Sequence, residues 1–263
     1  LIYVVALMAP LVFAWSVLPL FRESARKIIH LGVALVLSKL AIVATLAILV
    51  FWGFGGSFFL RGILPPRPSY IDGAARLPIV LHGLAFGAWL LLLTIQVGLV
   101  ASGNTRRHRQ LGQSSLVLLP ILAITGIAVT LHAGRHGFHD MPIPTAVFLT
   151  VPVLGLGFFL VVTVLALLLR HRPAAHKRLM VIATMMVAGA GTTRIPEVVA
   201  TVPPGFDPTQ LLIVPMLWWD WRSLGRVHPA TLWGGIALVI TNSVAVPIGF
   251  TPGWQALVAP ISG

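Results

Sequence analysis

Long apolar runs recur along the chain, and the stretches between them are too short to fold by themselves. They fall at roughly residues 2–20, 28–52, 78–101, 113–133, 145–169, 179–200, 208–221 and 230–250. A run of about 20 apolar residues matches the hydrocarbon core of a bilayer when helical. A helix also satisfies its own backbone where no water can. The seventh run is the short one: its apolar part, LLIVPMLWWDW, falls below the usual minimum of about 17 residues. The runs predict an all-α fold, a polytopic transmembrane helix bundle of about eight spans, forming one integral membrane domain over residues 1–263.

Composition excludes a water-soluble domain. Only 9% of residues are charged and 57% are hydrophobic, with a mean hydropathy of +0.97, against about 25% charged residues in soluble chains. A net charge of +12 does not point to nucleic acid, because the basic residues form short clusters between apolar runs. The loops after runs one, three, five and seven hold Arg22, Arg26, Lys27, Arg106, Arg107, Arg109, Arg170, Arg172, Lys177, Arg178, Arg222 and Arg226, twelve of the 18 basic residues. The opposite loops hold Arg61, Arg67, Arg76 and Arg135. The positive-inside rule then puts the four basic loops in the cytoplasm and both termini on the outer side. It also favours a crossing by the short seventh run, because otherwise Arg222 and Arg226 would lie outside.

The chain has no cysteine, so disulfides, thiolate metal sites and covalently attached c-type haem are excluded. Leu1–Leu20 lacks a basic flank and reads as a retained helix rather than a cleaved signal. The long outer connection, Gly53–Leu77, is irregular because of its Gly and Pro content. The WWDW stretch at the inner end of run seven fits an aromatic belt anchor. Pro10, Pro120, Pro152, Pro196, Pro215 and Pro247 lie in or near the runs and predict kinked, closely packed helices.

The sharpest chemical clue is the hairpin from Leu77 to Leu131. His82 lies 25 residues before Arg107, and His132 lies 25 after it. Two antiparallel helices turning at Arg107 would bring these histidines to similar depth at the outer end. They are therefore candidate axial ligands of a haem b, since two neutral imidazoles on facing helices suit a low-spin iron. His82, Phe86, Trp89, Leu93 and Gln96 follow a 4-3-4-3 spacing and share one helical stripe. The stripe reads either as cofactor-facing, with Trp89 and Gln96 beside the group, or as a packed interface. Gly83 and Gly87 form a GxxxG that would admit another backbone. His132, His136, His139 and Asp140 could gather a divalent ion, although Gly134 and Gly137 weaken a helix there. His108, His171, His176 and His228 read as headgroup contacts or helix-end bonds.

Polar residues inside the runs are costly and therefore informative. Lys39 falls near mid-membrane, and reads either as part of an ion path or as a tether to Asn242 in run eight. Arg194 and Glu197 form an i, i+3 pair around Pro196, either a local bridge or part of an outer polar pocket with His82 and His132. No Walker loop, nucleophile elbow, HExxH or GxGxxG is present. One internal echo stands out: His108-Arg109-Gln110-Leu111 opens run four, and His176-Lys177-Arg178-Leu179 leads into run six, as in a parallel duplication.

The stretches LHGLAFGAWLLLLTIQVGLVASGNTRRHRQLG, RPAAHKRLMVIATMMVAGAGTTRIPE and WDWRSLGRVHPATLWGG resemble a family of uncharacterised bacterial multi-pass membrane proteins carrying a domain of unknown function. The resemblance spans about residues 80–235. The motif positions it implies are His82, Trp89, Gln96, His108, Arg109, His176, Arg194, Asp220, Gly225, Arg226 and His228. It implies a bacterial inner-membrane location and no chemistry. The histidine-bearing hairpins are also loosely similar to cytochrome b561-type proteins.

The expected function is a non-catalytic accessory or structural subunit of a larger bacterial membrane complex, partnered by lipids and other membrane subunits and not by nucleic acid. Two alternatives stand beside it. One is a haem b- or quinone-linked electron-transfer protein using His82 and His132. The other is a small-solute or proton transporter using Lys39, Arg194 and Glu197.

Overall fold

The computed structural model of the chain describes residues 41–60, 62–63, 76–136, 144–195, 198, 200–202 and 206–262. Regular structure among the described residues is helical, with no strand. Helix α1 is described over Ala41–Phe59 and closes in a π-helical turn, Gly55–Phe59. There follow α2 (Arg76–Ala101), α3 (Thr105–Gly112), α4 (Ser115–His136), α5 (Thr145–Leu168), α6 (Pro173–Thr192), α7 (Ile213–Leu224), α8 (Pro229–Gly249) and a short α9 (Pro252–Val258). A 3-10 turn, Pro208–Leu212, leads into α7. Five stretches are long and apolar enough to cross a membrane: α1, α2, the α3–α4 stretch Thr105–His136, α5 and α8. The first apolar run, and Lys39 in the second, lie outside the described residues.

The hairpin of α2 and α4 turns earlier than the basic loop suggests. Gly103 adopts φ +75°, which costs a residue with a Cβ but not glycine. Asn104 then caps α3 by accepting a hydrogen bond from the Arg107 amide at 3.2 Å. The basic stretch is thus itself helical, and it leads into α4 through a two-residue turn. The centre of the hairpin is Gly103–Asn104, not Arg107. This shift moves the partner of His82 about seven residues back along α4, to Thr125.

Helix α6 is the inner helix of the bundle, and 11 of its 20 residues are buried. One packed cluster joins Leu46 and Val50 of α1, Leu90 of α2, Ile182 and Met185 of α6, Met216 of α7 and Leu238 of α8. A second joins Trp89 of α2, Leu122 of α4, Phe159 of α5 and Leu179 and Ala183 of α6. Inside a membrane such contacts stabilise through close packing and dispersion rather than exclusion of water.

Among the described residues, a close backbone approach runs through Gly53 and Gly191. A Cβ on Gly53 would lie 2.6 Å from the Gly191 carbonyl carbon, and one on Gly191 would lie 2.7 Å from Val50 Cα. The GxxxG of α2 serves a different purpose from the expected one. Gly83 and Gly87 make room for the rings of Phe58 and Phe59 from the π turn, with Phe58 Cζ 2.5 Å from where a Gly83 Cβ would stand.

Helix α6 also corrects the sixth apolar run. It starts at Pro173, which favours a first helical position, and stops at Thr192. The basic residues His176, Lys177 and Arg178 are therefore helical, and Arg178 is a buried residue rather than a loop charge.

Candidate functional site

Three clusters of polar groups stand out in the described core. The first is the pair of Arg178 on α6 and Asp220 on α7. Arg178 Nε donates to both carboxylate oxygens of Asp220, at 3.0 and 3.1 Å, and its Nη2 donates to Oδ1. Arg178 Nη1 donates to the Ala174 carbonyl at 2.7 Å. Asp220 Oδ2 also accepts from the Thr231 hydroxyl and from the His228 amide, the latter at 3.2 Å. One carboxylate thus joins the start of α6, the end of α7 and the start of α8. The side chains of Arg178 and Asp220 are 7% and 2% exposed, and such a pair is tolerable only because its bonding capacity is so fully met. His228 caps α8, its Nδ1 accepting from the Ala230 amide at 3.1 Å.

The second place is Asp207, at the other end of α6. It accepts from the Thr209 amide at 2.9 Å and from the Thr192 hydroxyl at 3.3 Å, and its Oδ2 lies 2.6 Å from the Thr209 hydroxyl. A Cβ on Gly189 would overlap this carboxylate, lying 2.6 Å from Asp207 Cγ. Burial pushes the Asp207 carboxyl above the ordinary carboxylate range, only partly offset by the bonds from Thr209 and Thr192. The Thr209 hydroxyl carries one hydrogen but faces two acceptors, Asp207 Oδ2 and the Met185 carbonyl at 3.0 Å. A protonated Asp207 resolves this, donating to Thr209 while Thr209 donates to Met185.

These two carboxylates fix the course of the short seventh run. Asp207 meets Gly189 and Thr192, and Asp220 meets Arg178, so the segment between them runs antiparallel along α6. Five 3-10 residues and eight α residues span about 22 Å. The matching stretch of α6, Thr192 back to Arg178, spans about 21 Å.

The third place is the corner where α2, α3 and α6 meet. His108 and His176 face each other edge to face, with ring centroids 6.4 Å apart. Each is the fourth residue of its helix. His176 Nδ1 bonds to the Ala166 carbonyl at 2.8 Å, the helix-end bond its position suggests. Among the described residues, His108 Nδ1 and both amide atoms of Gln96 are buried without a hydrogen-bond partner.

The candidate haem ligands stand at different levels. His82 Nδ1 lies 3.1 Å from Thr125 Oγ1, and that hydroxyl donates to the Ile121 carbonyl at 2.7 Å. The imidazole is therefore the donor to threonine. His132 is seven residues farther along α4, about 10 Å at helical rise, and stacks on His136 with centroids 4.0 Å apart. His136 Nδ1 in turn bonds to the His132 carbonyl at 3.0 Å.

The remaining candidates are scattered. Trp89 is packed inside, its Nε1 donating to the Thr184 hydroxyl at 3.1 Å and its ring edge-on to Phe159 at 5.1 Å. Gln96 lies two turns away in the His108 corner. Arg194 lies over the Phe54 ring at 4.4 Å and donates to the Ala190 carbonyl at 2.6 Å. Asn242 has its Nδ2 buried without a hydrogen-bond partner among the described residues. Lys39, Glu197, His139 and Asp140 lie outside the described residues.

Sequence reasoning missed the Arg178–Asp220 pair. The usable signal was scarcity: the chain has six acids, and one of them sits inside the apolar LLIVPMLWWDW run. It also missed the meeting of His108 and His176, for which the four-residue echo was the available sign. The chain matches no protein-family model, no curated protein and no solved structure.

Proposed function

We propose that the chain is an integral-membrane accessory or structural subunit of a larger bacterial membrane complex. One observation supports this reading above the others: both described carboxylates, Asp207 and Asp220, are buried and bonded as ties between α6 and the segment beside it. Carboxylates engaged in such ties hold helices together and, among the described residues, leave no acid facing a path. Trp89, the most enclosed aromatic of the expected stripe, is likewise used as a helix-to-helix tie.

In this reading the seventh segment crosses beside α6, and the bundle has eight spans. The basic ends of α3, α6 and α7 face the cytoplasm, with both termini outside. Lipids cover most of the apolar surface, and other membrane subunits cover the rest.

The test is purification from native membranes in a gentle detergent, with the oligomer's mass and subunit content measured. The reading expects a defined assembly containing at least one other polypeptide in constant ratio. A chain that purifies alone, and drives solute uptake when reconstituted into liposomes, overturns it.

A further inference from the structure

Two histidines near helix starts show which charges share one end of the bundle. His108 of α3 and His176 of α6 have ring centroids 6.4 Å apart, and His176 Nδ1 bonds to the Ala166 carbonyl near the end of α5. The 3-10 turn Leu169–His171, which joins α5 to α6 and carries Arg170, therefore lies beside α3. Arg172 follows it, about 6 Å from His176 along the axis of α6. On α3, His108 is half-buried, while Arg106, Arg107 and Arg109 fan over the exposed side of the helix. Arg170 and Arg172 are exposed as well. Five guanidiniums thus stand along one rim, and no exposed carboxylate answers them among the described residues. Asp207 and Asp220 are both buried, and Asp220 is engaged by Arg178. Like charges gathered this way repel, so the rim favours an anionic occupant.

We propose that the rim formed by α3 and the α5–α6 turn is a binding site for the headgroups of anionic phospholipid. Guanidinium suits this role, because its paired N–H donors match phosphate oxygens better than an ammonium does. Exposed tryptophans set the depth of the rim. Trp221 is 63% exposed at the end of α7, and Trp233 is 67% exposed in the first turns of α8. Asp220 joins both of these helix ends to the start of α6, so they share the end of the bundle that carries the rim. Exposed tryptophans sit at headgroup level in a membrane, which places the arginines among lipid phosphates and not out in the water where a soluble acidic partner docks. Leu168, 69% exposed in the last position of α5, is placed to meet an acyl chain beside the turn. The site uses only charges at one end of a membrane-spanning bundle, so it stands whether or not the chain has partner subunits.

Lipid retention by the purified full chain tests the proposal. The chain is equilibrated with mixed micelles of phosphatidylglycerol and phosphatidylcholine of matched acyl chains, and the lipid it keeps is measured. A basic residue at an anionic surface is worth roughly fivefold in affinity, so the expected enrichment of phosphatidylglycerol is at least about tenfold. Replacing Arg106, Arg107 and Arg109 together by Gln should reduce that enrichment by at least about fivefold. Equal retention of the two lipids by the parent overturns the proposal, as does undiminished enrichment in the folded triple variant. Should the variant fail to fold, the parent alone gives the decision, because salt shortens the Debye length from about 10 Å at 0.1 M to about 3 Å at 1 M. The enrichment must fall between these salts, and an unchanged value overturns the proposal. Millimolar inorganic phosphate, or polyglutamate, must leave the enrichment in place at low salt. Displacement of the lipid by either one assigns the rim to a soluble anion and overturns the lipid assignment.

Discussion

Arg178 and Asp220 lie 42 residues apart in the chain and clasp each other in the bundle. Removing one partner strands a buried charge, and such losses cost about 3–5 kcal/mol. Arg178→Met and Asp220→Leu should therefore each lower the thermal unfolding midpoint of the detergent-solubilised protein markedly. The double variant should recover much of the loss, because two apolar side chains leave no stranded charge. Additive losses in the double variant would show that the pair is not coupled.

Gly189 and Gly98 make a matched pair of tests. A Cβ at Gly189 overlaps the Asp207 carboxylate, whereas one at Gly98 meets nothing within 4 Å. Gly189→Ala should displace the segment from Asp207 to Leu212 and cost at least about 1–3 kcal/mol, as overpacked sites do. Gly98→Ala should be neutral or stabilising, by up to about 1 kcal/mol, because it lies inside α2. Equal unfolding midpoints for the two variants would contradict the packing described for Gly189.

The Asp207 carboxyl titrates above its ordinary range, so the folded chain holds a proton that the unfolded chain releases. Stability attributable to this group is therefore greatest at low pH, and it falls as pH rises from the ordinary carboxylate value through the raised folded one. Asp207→Asn, whose amide can donate to Thr209 as the protonated acid does, should flatten that part of the stability profile and preserve the fold at neutral pH. Unfolding midpoints of the parent and the variant across this range provide the check. Parallel profiles would show that Asp207 titrates normally.

Trp89 ties α2 to α6 through one hydrogen bond and a large buried ring. Trp89→Phe keeps most of the ring and loses the bond to Thr184, an expected cost of about 1 kcal/mol. Trp89→Ala empties the pocket beside Phe159, an expected cost of about 3–5 kcal/mol. Thermal unfolding of the two variants should rank them in that order.

The helices were legible because hydropathy reads lipid exposure directly. The run expected at 78–101 corresponds to Arg76–Ala101, 145–169 to Thr145–Leu168, and 230–250 to Pro229–Gly249. Hydropathy fails where a charge is neutralised by a distant partner. Arg178 was counted with the loops because nothing local shows that Asp220 will meet it. The hairpin register failed for a different reason: the basic stretch after Gly103 has the polarity of a loop and the backbone of a helix. Counting from Arg107 placed His132 opposite His82, while the turn at Gly103 places Thr125 there. The meeting of His108 and His176 depends on how α3 packs against α6, which periodicity along one helix does not encode.

The most direct measurement is an optical spectrum of the gently solubilised protein, taken before and after dithionite. His82 is bonded to Thr125, tying α2 to α4, and His132 stands about two turns away along α4. This arrangement predicts no Soret band and no sharpened α-band on reduction, in protein shown by circular dichroism to be helical. A reducible haem spectrum that disappears in His82→Ala would contradict it.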